Sequence, residues 1–147
     1  MQAPFKRLGF SILAALAVLL LALPAMAGSV VDADSDLVPD GFDNCTAVAN
    51  GPNNSSNQVD ADQDGFGNVC DADANNDCAT TTLDFPFFLD PFVGTSSSLE
   101  FDFNGDGAVT TLDFTLFLSF FTSGAPPGPS GLSCAICPSP PGTPCLP

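Results

Sequence analysis

Apolar residues gather in three places along the 147-residue chain, and acidic residues fill much of what lies between. The first is a run from Leu8 to Leu23, preceded by Lys6 and Arg7 and followed by Pro24-Ala25-Met26-Ala27-Gly28. A basic start, an apolar stretch of this length and a small-x-small exit describe a secretory signal peptide over residues 1–27, cleaved after Ala27. The run is shorter than the ~20 residues a membrane span needs. The other two apolar stretches are 83–89 (LDFPFFL) and 112–121 (LDFTLFLSFF). Each reads as a short helix. Pro86 is tolerable in a first turn, and Pro91 is expected to stop the first helix. Helices this short do not stand alone, so the two are expected to pack together as one small Phe-filled core, linked by Gly94 to Ser98.

No helix-length apolar pattern occurs between residues 28 and 72. Pro39 interrupts it early, and Asn50 to Asn57 is a polar Gly/Pro/Asn/Ser loop. From Ser123 onward there are eight prolines and four glycines, which reads as an irregular tail or strap. The expected organisation is therefore signal peptide (1–27), an irregular segment (28–72), a two-helix module (73–122) and a C-terminal tail (123–147). An internal repeat supports the third unit: Asp73 to Phe92 aligns without gaps on Asp102 to Phe121, 29 residues later, with 12 identities in 20.

The acids follow a register. Four twelve-residue windows carry acids or their amides at positions 1, 3, 5 and 12, each with another oxygen-bearing residue at 9. Window one is Asp32, Asp34, Asp36, Asp40 and Asp43; window two is Asp60, Asp62, Asp64, Asn68 and Asp71. Window three is Asp73, Asn75, Asp77, Thr81 and Asp84; window four is Asp102, Asn104, Asp106, Thr110 and Asp113. Fifteen of the 17 acids lie in these windows, leaving only Asp90 and Glu100 outside. Calcium is a hard cation that takes six to eight oxygens, and a tight loop delivers them from alternate positions. Side chains at 1, 3, 5, 9 and 12 are joined by a backbone carbonyl at 7, here Val38, Phe66, Ala79 and Ala108. Magnesium demands a smaller octahedron, and zinc prefers His or Cys, so calcium fits the pattern best. Position 6 needs a positive φ, which Gly65 and Gly107 supply freely. Leu37 and Cys78 stand there in windows one and three, each costing on the order of 1 kcal/mol. Windows two and four are therefore expected to bind more tightly.

Charge sharpens this picture. Removing residues 1–27 removes both basic side chains and leaves 120 residues with 17 acids and no His. Such a chain cannot grip phosphates, which argues against nucleic acid and, after cleavage, against anionic membranes. No group suited to general base chemistry near neutral pH stands out, so the chain is not expected to be an enzyme. Self-repulsion on this scale calls for a cation as partner.

Asp32 to Asp71 resembles a thrombospondin type 3 repeat. The matching residues are Asp32, Asp34, Asp36, Pro39, Asp40, Asp43-Asn44-Cys45, Asn50, Gln58, Asp60, Asp62, Asp64-Gly65, Gly67-Asn68 and Cys70-Asp71. That resemblance implies an irregular string wrapped on calcium and stapled by disulfides, with a role in extracellular adhesion or spacing. Asp73 to Phe121 is similar to a type I dockerin, two D-x-N-x-D loops each followed by a helix. The resemblance implies a calcium-dependent docking module for a cohesin-like partner, often one that tethers polysaccharide-degrading enzymes. Its recognition positions would be Thr82-Leu83 and Thr111-Leu112.

Six cysteines in an exported chain suggest disulfides, with 15 possible pairings. Cys45 and Cys70, bracketing the second half of the repeat, are the favoured pair. Cys78, Cys134, Cys137 and Cys145 would supply two more, strapping the tail to the helical module. Two short helices cannot bury Phe85, Phe87, Phe88, Phe92, Phe114, Phe117, Phe120 and Phe121 together, so some are expected to form an exposed apolar patch. The expectation is a small, mostly irregular calcium-stabilised fold with short α-helices. It would be a secreted or cell-surface (or periplasmic), non-catalytic docking module; the alternative is an extracellular structural or adhesive protein that self-associates with calcium.

Overall fold

The computed structural model describes residues 30–138 and 144–145, so the signal-peptide reading of 1–27 lies outside the described residues. Among them there are no strands. Regular structure is confined to two α-helices, α1 (Phe85–Phe92) and α2 (Thr111–Ser123), and two single 3-10 turns, Asp40–Phe42 and Asn68–Cys70. The elements track the four windows. Windows one and two end in a 3-10 turn at positions 9–11, whereas windows three and four lead into α1 and α2.

α2 starts where it does because Thr110 and Asp113 form a capping box. The Thr110 hydroxyl accepts from the Leu112 N–H at 3.2 Å, and Asp113 Oδ2 accepts from the Thr110 N–H at 2.8 Å. Thr81 and Asp84 repeat this arrangement ahead of α1, at 3.1 and 2.6 Å. α2 ends at Gly124, whose φ of +59° suits a left-handed cap and whose N–H reaches Phe120 O at 3.0 Å.

Pro86 sits in the first turn of α1 as expected, but Pro91 does not stop the helix, which runs on to Phe92. Proline lacks an N–H and crowds the carbonyl four residues back, but this close to the helix end the following donors still find acceptors. Val93 N–H reaches Leu89 O at 3.0 Å and Thr95 N–H reaches Asp90 O at 2.9 Å.

The two helices meet through Phe88 and Phe117, both almost fully buried with ring centroids 4.8 Å apart. Phe92 and Phe114 close one side. The far side is filled by Phe101 and Phe103, which flank the first carboxylate of window four, Asp102. One repeat earlier, Ala72 and Ala74 flank Asp73 in the same way and pack against the same core. Large side chains in one repeat thus face small ones in the other. Phe85 and Phe87 stay 39% and 51% exposed, as the crowding argument required.

The tail is a strap laid over the first three windows. Thr46 N–H donates to Pro129 O, Gly131 N–H to Asp43 O, Gly128 N–H to Cys70 O, and Cys145 N–H to Gln63 O, all within 3.0 Å. Gly131 lies so close to Asp40 that a Cβ would strike the Asp40 carbonyl oxygen. Three disulfides fix the arrangement: Cys45–Cys70, Cys78–Cys137 and Cys134–Cys145. The second joins window three to the tail, and the third closes the tail on itself.

Candidate metal centres

All four windows share one backbone shape. At position 6, Leu37, Gly65, Cys78 and Gly107 have φ of +81°, +97°, +80° and +91°. At position 4, Ser35, Gln63, Asn76 and Gly105 are also left-handed, at +64°, +64°, +57° and +70°. Two left-handed residues between carboxylates turn the chain back on itself, so alternate side chains point inward.

The position 1 carboxylate anchors each turn. Asp32, Asp73 and Asp102 each accept the N–H groups of positions 5 and 6, at 2.6 to 3.2 Å. Asp60 accepts from Gln63 at position 4 and Gly65 at position 6, at 2.7 and 2.9 Å. The position 5 carboxylates of windows one, two and four take the N–H of position 7, from Val38, Phe66 and Ala108.

Closure divides the windows into two kinds. In windows one and two, the position 9 side chain (Asp40 or Asn68) accepts the N–H of position 2 at 2.8 or 2.9 Å. In windows three and four, the position 12 carboxylate (Asp84 or Asp113) accepts the N–H of positions 3 and 9. Both position 12 residues are fully buried; Asp113 also completes the α2 cap, and Asp84 makes the matching bond to Thr81 ahead of α1.

Windows one and two each bring three carboxylates together. Oxygens of Asp32, Asp34 and Asp36 lie within 4.8 Å of one another, as do those of Asp60, Asp62 and Asp64, so each cluster could hold a metal ion. Windows three and four carry Asn at position 3, so fewer charges meet there. Several buried side-chain oxygens have neither solvent nor a hydrogen-bond donor: both of Asp34, Oδ2 of Asp43, and the side-chain oxygens of Asn75 and Asn76. Such atoms are costly unless something positive meets them. An oxygen-only donor set with orphaned acceptors fits a hard cation.

Crowding appears in the proton affinities too. Burial, then the charges of Asp36 and Asp43, pushes Asp34 upward. Asp60 is pushed up to about 7 by burial and by its neighbour Asp62. Burial beside Asp64 raises Asp71 well above the usual carboxylate range, and burial also raises Asp73. Glu100, outside every window, is pushed up to about 7 by burial and then by Asp62 and Asp64, so it faces window two. It had no place in the register and was not legible as part of a site. Its position follows from Asn68 Nδ2, which holds Leu99 O at 2.6 Å.

Thr82, Leu83, Thr111 and Leu112 are all exposed, the two leucines by 62% and 64%. Beside Thr82 lies an apolar groove of about 340 Å³ between the helices, lined by Phe85, Phe114, Phe117, Leu118 and Phe121. No family model matches the chain, and no curated protein or solved structure matches it either, so the geometry above carries the functional reading.

Proposed function

We propose that this is an exported calcium-binding module without catalytic activity, which uses its helical half to dock another protein outside the cytoplasm. The observation that carries the reading is window one: three carboxylates within 4.8 Å, with Asp34 and Asp43 presenting buried oxygens that no donor meets. Calcium suits four loops of this kind better than magnesium because it accepts an irregular oxygen cage from a flexible wrap, whereas magnesium demands a near-ideal small octahedron and keeps its waters. Asp32, Asp34, Asp36 and Asp43 would hold it in window one, and Asp60, Asp62, Asp64 and Asp71 in window two. Asp73, Asn75, Asp77 and Asp84 would serve window three, and Asp102, Asn104, Asp106 and Asp113 window four. When bound, the ion supplies positive charge where the chain is most self-repulsive, and so couples metal uptake to folding.

Three disulfides among the described residues suit an oxidising compartment, and no helix among them is long and apolar enough to cross a membrane. Resemblance to the dockerins supports docking through Thr82-Leu83 and Thr111-Leu112, and all four residues are accessible. The thrombospondin-like half would act as a calcium-stiffened spacer. Calorimetric titration of the protein from residue 28 onward with calcium, then with magnesium, tests the reading. Several moles of calcium per mole, with little competition from magnesium, are expected; no uptake at millimolar calcium would refute it. Light scattering with calcium separates docking of a partner, which leaves a monomer, from self-association.

A further inference from the structure

The segment between the first two windows holds a cluster of buried amides that lies outside the ligand register. Asn44 and Asn50 are 1% and 0% exposed, and Gln58 packs between them. Asn44 N–H donates to Gln58 Oε1 at 2.9 Å, and Asn44 Nδ2 to Gln58 O at 3.0 Å. Gln58 N–H reaches Asn50 O at 2.8 Å, and Gln58 itself is left-handed, with φ of +56°. A buried amide is costly without partners, and a left-handed glutamine is strained. Both costs are met here by bonds that end on two carboxylates of window one.

Gln58 Nε2 donates to Asp43 Oδ1 at 2.8 Å, where the Cys45 N–H also arrives at 2.9 Å. Asn50 N–H donates to Asp36 Oδ2 at 2.8 Å. The chain can come this close because residue 51 is glycine; a Cβ there would meet the Asp36 carbonyl oxygen. One oxygen of Asp43 is thus fully engaged from behind, and the other is left buried and unpartnered. The Asp43 charge is felt at Asp34 across the loop. Window two shares the backbone part of this arrangement, its position 12 residue Asp71 accepting the Asp73 N–H at 2.8 Å as Asp43 accepts that of Cys45; the Gln58 amide is what window one adds.

We infer that Gln58, supported by Asn44 and Asn50, is a positioning residue for the cation of window one, fixing Asp43 so that its free oxygen completes that site. This deepens the calcium reading and rests on it. Groups that orient a metal ligand from behind typically change affinity 10–100-fold when removed. Gln58 lies two residues from Asp60, the first ligand of window two. A merely structural disturbance would therefore be felt in window two at least as much as in window one.

The test is a site-resolved calcium titration by amide NMR, following Leu37, Gly65, Cys78 and Gly107 as reporters of the four windows. Gln58→Met keeps the length and removes the donor. Affinity at window one is expected to fall about tenfold, with the other three windows within twofold of wild type. Unchanged affinity at window one, or an equal fall at windows one and two, overturns the inference. Gln58→Glu keeps the volume and sets an acceptor against Asp43. Should Gln58→Met not fold, this variant must show the same selective loss, and its absence overturns the inference equally. A wild-type protein that takes up no calcium removes the calcium reading, and the inference with it.

Discussion

Replacing Asp34 by Asn should act in opposite directions on the metal-free and the calcium-loaded protein. Asp34 has oxygens within 4.8 Å of those of Asp32 and Asp36, and neither of its own oxygens has a donor. Two unit charges at that distance repel by about 0.9 kcal/mol even with the full screening of water. Two such pairs give about 1.7 kcal/mol as a floor for the relief in Asp34→Asn, which keeps the shape and removes the charge. In EGTA at low ionic strength, the variant should therefore be more resistant to urea than wild type, and added salt should shrink the difference. With calcium the variant loses a charged ligand. An ion at a thousand times its dissociation constant stabilises by about 4 kcal/mol, and a tenfold loss of affinity takes about 1.4 kcal/mol from that increment. Paired urea melts of both proteins, with EGTA and with calcium, read the two effects separately. If Asp34→Asn destabilises the metal-free protein, or leaves the calcium increment intact, the three carboxylates are a solvated face and the reasoning fails.

Three further outcomes are expected. Leu37→Gly should stabilise the calcium-loaded protein in thermal melts by about 0.5–1 kcal/mol. Relief of the +81° backbone, roughly 1–2 kcal/mol, exceeds the added freedom of glycine when unfolded, and the side chain is already 67% exposed. Phe117→Ala should cost about 3–5 kcal/mol in urea, since Phe117 is 1% exposed and stacks on Phe88. Stability of the metal-free protein should fall as pH rises. Glu100 and Asp60 are pushed up to about 7 from ordinary values of 4.5 and 3.8. The folded form therefore holds protons that the unfolded form releases, a stabilisation complete below about pH 4 and lost as pH rises through about 7. Melting in EGTA should be lower at pH 7.5 than at pH 5.0, while calcium affinity should rise over the same interval.

The parts that were legible in the sequence are those whose physics is local. Alternating oxygens fixed the windows, the Gly65 and Gly107 positions marked a left-handed turn that Leu37 and Cys78 also adopt, and the two apolar stretches placed both helices within three residues. Cys45 and Cys70 pair as expected. The left-handed position 4 was not legible, because Ser35, Gln63, Asn76 and Gly105 share no common chemistry. Phe101 and Phe103 lie outside both apolar stretches and are core because alternation about Asp102 points both away from the site. The path of the tail depends on backbone hydrogen bonds between residues 58 or more positions apart, which leave no pattern in composition. Cys134 and Cys137, near neighbours in sequence, each pair elsewhere.

Each window curls around its own position 1 carboxylate, which takes backbone donors from within the same dozen residues. A unit that closes on itself carries its folding instructions wherever it is copied. Tandem duplication of such a stretch adds length without demanding a redesigned interior, much as in repeat proteins whose units interact mainly with their neighbours. The 29-residue periodicity between windows three and four looks like one such event preserved, with alanine and phenylalanine having since diverged to share a single interior.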